Sequence, residues 1–194
     1  MILFFFGDSL TMGVNDPEML SWPGRVCRLA AARGASFDFF NLGVRRQSTQ
    51  LIKARWLAET SPRLPDGGKP AFIFCCGAVD AARNLDFDEA ITGLKQMLTA
   101  ARALGPCLFL TPPPLADPGA AAREKSLAAA FKGVCTDLDV PCLDLFGSLA
   151  ERPDYLQDLR DGLHPGAAGY AVIAGLVDSW PAWRGLFEPL SPAS

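Results

Sequence analysis

Five short apolar runs alternate with segments of helical periodicity along this chain, and the alternation limits the folds open to it. Each run is bounded by turn residues or by an amphipathic segment, which is typical of a strand buried on both faces of a sheet. The predicted strands are Met1–Phe6, Phe37–Leu42, Ala71–Cys76, Cys107–Leu110 and Val140–Leu143.

Apolar residues at helical spacing predict the segments that connect these strands. The clearest pattern runs from Phe87 to Leu104, where Ile91, Leu94, Leu98 and Ala101 share one face. Strands that alternate with helices pair in parallel, and the helices cover both faces of the sheet. We therefore predict one α/β domain over residues 1–194, with a five-stranded parallel sheet between two helical layers. The other predicted helices are Trp22–Arg33, Ser48–Glu59, Ala120–Leu138 and Gly166–Trp180.

Charge and hydropathy exclude several classes of partner. The 194 residues carry 18 basic and 21 acidic side chains, a net charge of −3, without a basic block, so we expect no nucleic acid and no anionic membrane surface as partner. The apolar runs are shorter than the ~18–20 residues that span a bilayer, and the N-terminus lacks the positive region of a signal peptide. We expect a cytoplasmic protein that binds a small molecule. Its oligomeric state stays open.

The cysteines and the single histidine argue against a metal site. The six cysteines form no CxxC pair, and one histidine is too few for a Cys/His zinc spacing. In a chain without an export signal, we expect these thiols to be reduced and mostly buried. We predict no metal and no other cofactor.

Residues with catalytic potential follow the predicted strands, at the sheet edge where open parallel sheets bind ligands. The segment Gly7–Ser9 presents a serine at a sharp turn, although serine and aspartate are also common helix caps. Gly43 ends the second strand. Its N–H can approach a ligand there, or the glycine can serve only to permit a turn. His164 lies three residues after Asp161. Histidine is the usual general base for a serine at neutral pH, and a nearby carboxylate can orient its ring.

The ordered set Gly7-Asp8-Ser9-Leu10, Gly43 and Asp161-x-x-His164 resembles the GDSL lipase/acylhydrolase family, also called the SGNH hydrolases. The likeness covers nearly the whole chain, and several segments resemble one bacterial-type branch. These segments are Trp22–Arg25, Asn41–Arg46, the Pro112–Pro114 loop and Asp161–Tyr170.

The resemblance implies a three-layer, flavodoxin-like α/β/α fold and a serine esterase or acylhydrolase that works through an acyl-enzyme. It assigns Ser9 as nucleophile, His164 as general base and Asp161 as the acid that orients the histidine. It also implies that the backbone N–H groups of Ser9 and Gly43 hold the oxyanion.

One feature of the family is missing after the third strand. The family places an oxyanion asparagine in a G-x-N-D block, whereas this chain reads Gly77-Ala78-Val79-Asp80, and Val79 has no donor. Loss of one oxyanion donor typically lowers kcat by ~10²–10³. Three outcomes stay open: lower activity, rescue by Asn15, Asn84 or Arg46, or a non-catalytic ligand-binding protein on the same fold. A flavin-binding protein is disfavoured, because the Thr111–Pro114 loop is poor in backbone donors.

The predicted substrate contacts are Asp8, Trp22, Arg46 and Val79. Trp22 follows the nucleophile loop and can line an acyl pocket. Arg46 replaces a small residue of many family members, and with Arg45 it forms either a solvated pair or an anion-binding pair. The sequence leaves the acyl and alcohol groups open, and the lack of a lid-like insertion favours short acyl chains.

Overall fold

A computed structural model describes residues 1–187, and its centre is a five-stranded parallel sheet in the order β2-β1-β3-β4-β5. Each strand begins and ends within two residues of its predicted bounds, so the predicted sheet is confirmed. Gly7, at the end of β1, is level with Gly43 of β2 and Cys75 of β3. The strands are β1 (Ile2–Gly7), β2 (Asp38–Gly43), β3 (Pro70–Cys75), β4 (Cys107–Leu110) and β5 (Cys142–Leu143).

All five predicted helices are present, and residues 1–187 contain five further helices of four or five residues. A helix of that length is little more than one turn, so a period of 3.6 residues cannot repeat in it. The predicted helices are α2 (Ser21–Ala32), α3 (Thr49–Thr60), α5 (Phe87–Arg102), α6 (Pro118–Asp137) and α9 (Ala167–Ser179). The additional ones are α1 (Ser9–Met12), α4 (Ala78–Ala82), α7 (Leu145–Leu149), α8 (Pro153–Leu156) and α10 (Pro181–Gly185).

Two hydrophobic layers cover the two faces of the sheet. Phe4 and Phe6 of β1 pack with residues of α3, α5 and α6, including Trp56. Leu3 and Phe5 point to the other face and pack with residues of α2 and α9. Because alternate side chains of β1 enter opposite cores, the strand is apolar at every position rather than at every second one.

The short helix α1 packs closely against the carboxyl ends of β1 and β2. A Cβ atom on Gly7 would lie 2.0 Å from Thr11 Oγ1, and one on Gly43 would lie 2.2 Å from the Met12 nitrogen. Glycine at both positions therefore allows α1 to sit at this edge of the sheet, and α1 begins with Ser9.

No helix within residues 1–187 is long and apolar enough to cross a membrane. The six cysteines are free thiols; five are buried and Cys142 is half-buried.

Candidate active site

Ser9 lies where β1 gives way to α1. Asp8 caps the helix, because its Oδ1 accepts the Leu10 N–H at 2.9 Å. Both Asp8 and Ser9 are buried, at 2% and 9% exposure. The serine is therefore held by the sheet edge and the helix cap rather than by a flexible loop.

His164 and Asp161 complete a line of three polar groups with Ser9. His164 Nε2 lies 2.8 Å from Ser9 Oγ, although 155 residues separate them in sequence. On the other side of the ring, His164 Nδ1 lies 2.8 Å from Asp161 Oδ2. Hydroxyl, imidazole and carboxylate thus stand in the order that proton transfer from a serine requires.

Asp161 holds the imidazole in one tautomer. Burial raises the pKa of Asp161, but the hydrogen bonds from His164 and from the Leu163 N–H outweigh it and bring the pKa to about 2. An ionised carboxylate beside Nδ1 favours the tautomer with the proton on Nδ1. Nε2 is then an acceptor that faces the Ser9 hydroxyl.

The loop that carries His164 is fixed by backbone hydrogen bonds. The His164 N–H donates to Asp161 Oδ1 at 2.8 Å, and the Arg160 N–H donates to the His164 carbonyl at 2.9 Å. The Ala116 N–H donates to the carbonyl of Gly162, whose φ of 78° lies in the region that favours glycine. The tip of the loop is thereby tied to the segment before α6.

Buried acids lie behind Ser9. Burial raises the pKa of Asp8 to about 7, and the charge of Asp80 acts in the same direction, while the Leu10 N–H opposes both. Burial also raises the pKa of Asp80 and, well above its usual range, that of Glu124. Near neutral pH the Asp8 side chain is therefore partly protonated and carries less than a full negative charge.

A cavity of about 260 Å³ opens at the Ser9 hydroxyl. Its wall comes from Asp8 and the start of α1, from the loop after β2, from α4 and the residue after it, from the segment before α6 and from the His164 loop. Within residues 1–187, no group of three or more His, Cys, Asp or Glu side chains is placed to hold a metal ion. The lining residues are Asp8, Ser9, Leu10, Arg45, Arg46, Ala78, Val79, Ala82, Arg83, Leu115, Asp161, Leu163 and His164.

The structure brings most of the predicted site residues together and corrects the placement of Trp22. Ser9, Asp161 and His164 line the cavity with Asp8, Arg46 and Val79. Trp22 is instead 1% exposed in the core, with its ring centroid 5.4 Å from that of Phe5. The large apolar surface of the indole is covered by the sheet, so Trp22 does not contact the cavity.

The N–H of Gly43, a predicted oxyanion donor, has a partner within the chain. Gly43 is not among the residues that line the cavity, and its N–H donates to Asn41 Oδ1 at 3.0 Å. This donor is therefore engaged at the carboxyl end of β2. The place of Gly43 in the structure is explained by its close approach to α1.

Sequence reasoning missed Arg83, Leu115 and Leu163 in the cavity wall. Arg83 directly follows α4, a helix too short to give a periodic signal. Two of the three residues considered as replacement donors, Asn15 and Asn84, are exposed and lie outside the cavity wall. Arg46 is the one that lines it.

Solved structures of similar proteins share this architecture. A lipase/acylhydrolase from Enterococcus faecalis is 25% identical, with 98% of each chain covered and a TM-score of 0.82. A member of the lipolytic G-D-S-L family from Veillonella parvula is 19% identical, with 91% of this chain and 96% of that chain covered and a TM-score of 0.77. An acetylxylan esterase from Geobacillus stearothermophilus is 17% identical, with 90% and 91% covered and a TM-score of 0.76.

The last two structures are similar in fold alone, and no curated protein matches the chain. The family assignment comes from the sequence model of the GDSL-like lipase/acylhydrolase family, which matches residues 5–172. That region contains the Ser9 turn and the His164 loop, and it makes up most of the chain. This protein therefore belongs to the GDSL-like lipase/acylhydrolase family, whose members hydrolyse esters.

Proposed function

We propose that this protein is a serine esterase that hydrolyses small carboxylic esters through a covalent acyl-enzyme. One observation carries the proposal: Ser9 Oγ and Asp161 Oδ2 each lie 2.8 Å from a ring nitrogen of His164. A serine, a histidine and a carboxylate joined in this order can form and break an ester bond without a cofactor.

In the first half of the reaction, Ser9 Oγ attacks the acyl carbonyl carbon while its proton passes to His164 Nε2. Asp161 stabilises the imidazolium that forms. Collapse of the tetrahedral intermediate breaks the bond to the alcohol, which leaves with the proton from Nε2. In the second half, water attacks the acyl-enzyme, His164 takes a proton from that water, and the acid leaves as Ser9 regains its proton.

The negative oxygen of the tetrahedral intermediate needs hydrogen-bond donors. Ser9 is the first residue of α1, so its backbone N–H has no acceptor within the helix and can serve. Val79 lines the cavity and offers no side-chain donor, whereas Arg46 lines it and does. We propose the Ser9 N–H and the Arg46 guanidinium as donors. We expect kcat to be ~10²–10³ below that of relatives with a third, preorganised donor.

The cavity favours a short acyl group. Its volume of about 260 Å³ lies below the ~300–1,000 Å³ of most ligand pockets. The structural similarity to an acetylxylan esterase supports an acetyl or similarly short acyl group.

Labelling with a fluorophosphonate probe and hydrolysis of 4-nitrophenyl acetate test this function. We expect the wild-type protein to be labelled and active, and Ser9→Ala to be unlabelled with kcat lowered by roughly 10⁴–10⁶. Ser126→Ala, on the exposed face of α6, is the matched control and should behave like wild type. A wild-type protein that stays unlabelled, or a Ser9→Ala variant with the wild-type rate, would refute the proposal.

Val79 also motivates the alternative, a ligand-binding protein that has lost catalysis. Val79→Asn restores a donor to the cavity wall, and Val79→Ala removes the valine methyl groups without adding a donor. For a live esterase we expect Val79→Asn to raise kcat about 10- to 100-fold above Val79→Ala. No difference between the two variants, together with no probe labelling of the wild type, would favour the binding protein.

A further inference from the structure

Three arginine side chains surround the opening to Ser9. Arg45 and Arg46 lie in the loop after β2, and Arg83 follows α4; all three are exposed and line the cavity. We call this group the arginine rim. It brings together two segments that are far apart in sequence.

The charges of the arginine rim are not neutralised by neighbouring side chains. Among residues 1–187, no carboxylate oxygen lies within 4.0 Å of the guanidinium nitrogens of Arg45, Arg46 or Arg83. Other arginines of the same chain do form such ion pairs, so the rim differs from them. The paired ones are Arg25, Arg33, Arg55, Arg102, Arg152, Arg160 and Arg184.

Positive charge exceeds negative charge around this cavity, although the whole chain carries a net charge of −3. The acidic residues in the wall are Asp8 and Asp161. Asp161 is ionised, and burial raises the pKa of Asp8 to about 7, so these two carboxyl groups carry less negative charge near neutral pH than the three arginines carry positive charge. A cavity with an excess of one sign of charge attracts ligands of the opposite sign.

Arg46 has a backbone conformation that usually favours glycine. Its φ is 62°, in the left-handed region where glycine is preferred and a bulky side chain is an outlier. A glycine would satisfy the turn but would leave no charge at the opening.

We propose that the arginine rim binds an anionic group of the substrate, so that the substrates are short esters that carry a carboxylate, phosphate or sulfate away from the scissile bond. The proposal rests on ester hydrolysis at Ser9. A guanidinium group donates paired hydrogen bonds to such anions and keeps its charge at every accessible pH. The rim would orient the ester while His164 and Ser9 act on its carbonyl.

Two pairs of esters test this, each with an anionic and a neutral member of similar size. Mono-4-nitrophenyl glutarate and 4-nitrophenyl pentanoate place the difference on the acyl side. 4-Acetoxybenzoate and its methyl ester place it on the alcohol side. The measurement is the ratio of kcat/KM, anionic over neutral, compared between variants so that the intrinsic reactivity of each ester cancels.

We expect the wild-type ratio to be about tenfold or more above that of Arg83→Gln in at least one pair, the change typical of losing hydrogen bonds to a charged group. Arg45→Gln should lower it similarly, and the triple variant should lower it most. Arg46→Gln should lower the ratio too, and should also lower kcat/KM for both members of a pair, because Arg46 is the proposed oxyanion donor. Raising the salt from about 0.05 M to about 0.5 M should also reduce the wild-type ratio, since exposed charges are screened. Arg28→Gln is the matched control, because Arg28 is exposed and lies on α2 outside this cavity.

The outcomes separate this proposal from the one it rests on. If the wild type hydrolyses the neutral esters and the rim variants leave both ratios at the wild-type value, the anionic substrate is wrong and the esterase stands. If the wild type hydrolyses none of the four esters and is not labelled by the probe, both proposals fail. Arg83 has a φ of −96°, outside the left-handed region, so Arg83→Gln gives a decision even if variants at Arg46 do not fold.

Discussion

At the scale of single residues, Arg46 combines a left-handed backbone with a side chain that has no ion-pair partner among residues 1–187. Its φ of 62° is a conformation that an L-residue adopts at a cost of roughly 1–2 kcal/mol. Glycine adopts it freely, although its greater freedom in the unfolded chain offsets part of the gain. The local strain and the charge at the cavity opening can therefore be separated by substitution.

We expect Arg46→Gly to be more stable than Arg46→Ala by about 1 kcal/mol, because both variants lose the guanidinium and only glycine relieves the strain. Urea unfolding of the two variants gives the comparison. Both should show the same loss of preference for anionic esters. Equal stability of the two variants would mean that the left-handed conformation of Arg46 is not retained in solution.

At the scale of elements, the position of α1 depends on glycine in the strand beside it. A Cβ atom on Gly43 would lie 2.2 Å from the Met12 nitrogen and 2.7 Å from its Cα. Both atoms belong to the backbone, so α1 or β2 would have to shift, and the position of Ser9 relative to His164 would change with it. The relation between two elements, rather than any side-chain chemistry, makes glycine necessary here.

We expect Gly43→Ala to destabilise the protein by about 1–3 kcal/mol, the usual penalty of overpacking, and to lower probe labelling of Ser9. Gly175→Ala is the control, since Gly175 lies within α9 and a Cβ there would meet nothing within 4 Å. It should stabilise the protein by about 0.5–1 kcal/mol with labelling unchanged. Normal labelling of Gly43→Ala would show that α1 tolerates the methyl group.

At the scale of the whole molecule, the acids buried beneath the cavity link its charge state to global stability. Burial raises the pKa of Asp8 from its usual 3.8 to about 7. Between those values the folded protein binds more protons than the unfolded chain, so the free energy of unfolding falls as the pH rises. Asp80 and Glu124, whose pKa values burial also raises, act in the same direction.

We expect Asp8 to lower the free energy of unfolding by about 2–3 kcal/mol between about pH 5 and about pH 8. Asp8→Asn keeps an oxygen that can accept the Leu10 N–H but does not titrate, so its stability should depend less on pH by that amount. Urea unfolding of both proteins at the two pH values measures the difference. Parallel pH profiles would contradict a raised pKa at Asp8.

The long elements could be predicted from the sequence because their signals are local. The structure has a strand at the apolar run from Met1 to Phe6 and a helix at the periodic pattern from Phe87 to Leu104. Each of these signals is complete within its own segment. The family motifs pointed to Ser9, Asp161 and His164, which the structure brings together. Helix α4 gave no periodic signal, and so Arg83 could not be placed at the cavity.

Trp22 and Gly43 show why other site residues could not be predicted. Trp22 follows the Ser9 turn in sequence, but its indole packs on Phe5 in the core that α2 and α9 form with the sheet. Gly43 ends a strand at the functional edge, but the side chain of Asn41 takes its N–H. Closeness to Ser9 in sequence does not determine which way a side chain points. A position at the carboxyl edge of the sheet does not determine which group accepts a backbone N–H.

The sequence by itself determined the α/β alternation, the apolar strands and the residue types able to do serine chemistry, because periodicity and motifs are properties of neighbouring residues. Only the tertiary structure decided which groups meet. Ser9 and His164 come within 2.8 Å because the sheet and the loop after Asp161 bring distant segments to one edge. The same folding gathers Arg45, Arg46 and Arg83 around one opening, since long-range packing determines which exposed charges share a cavity.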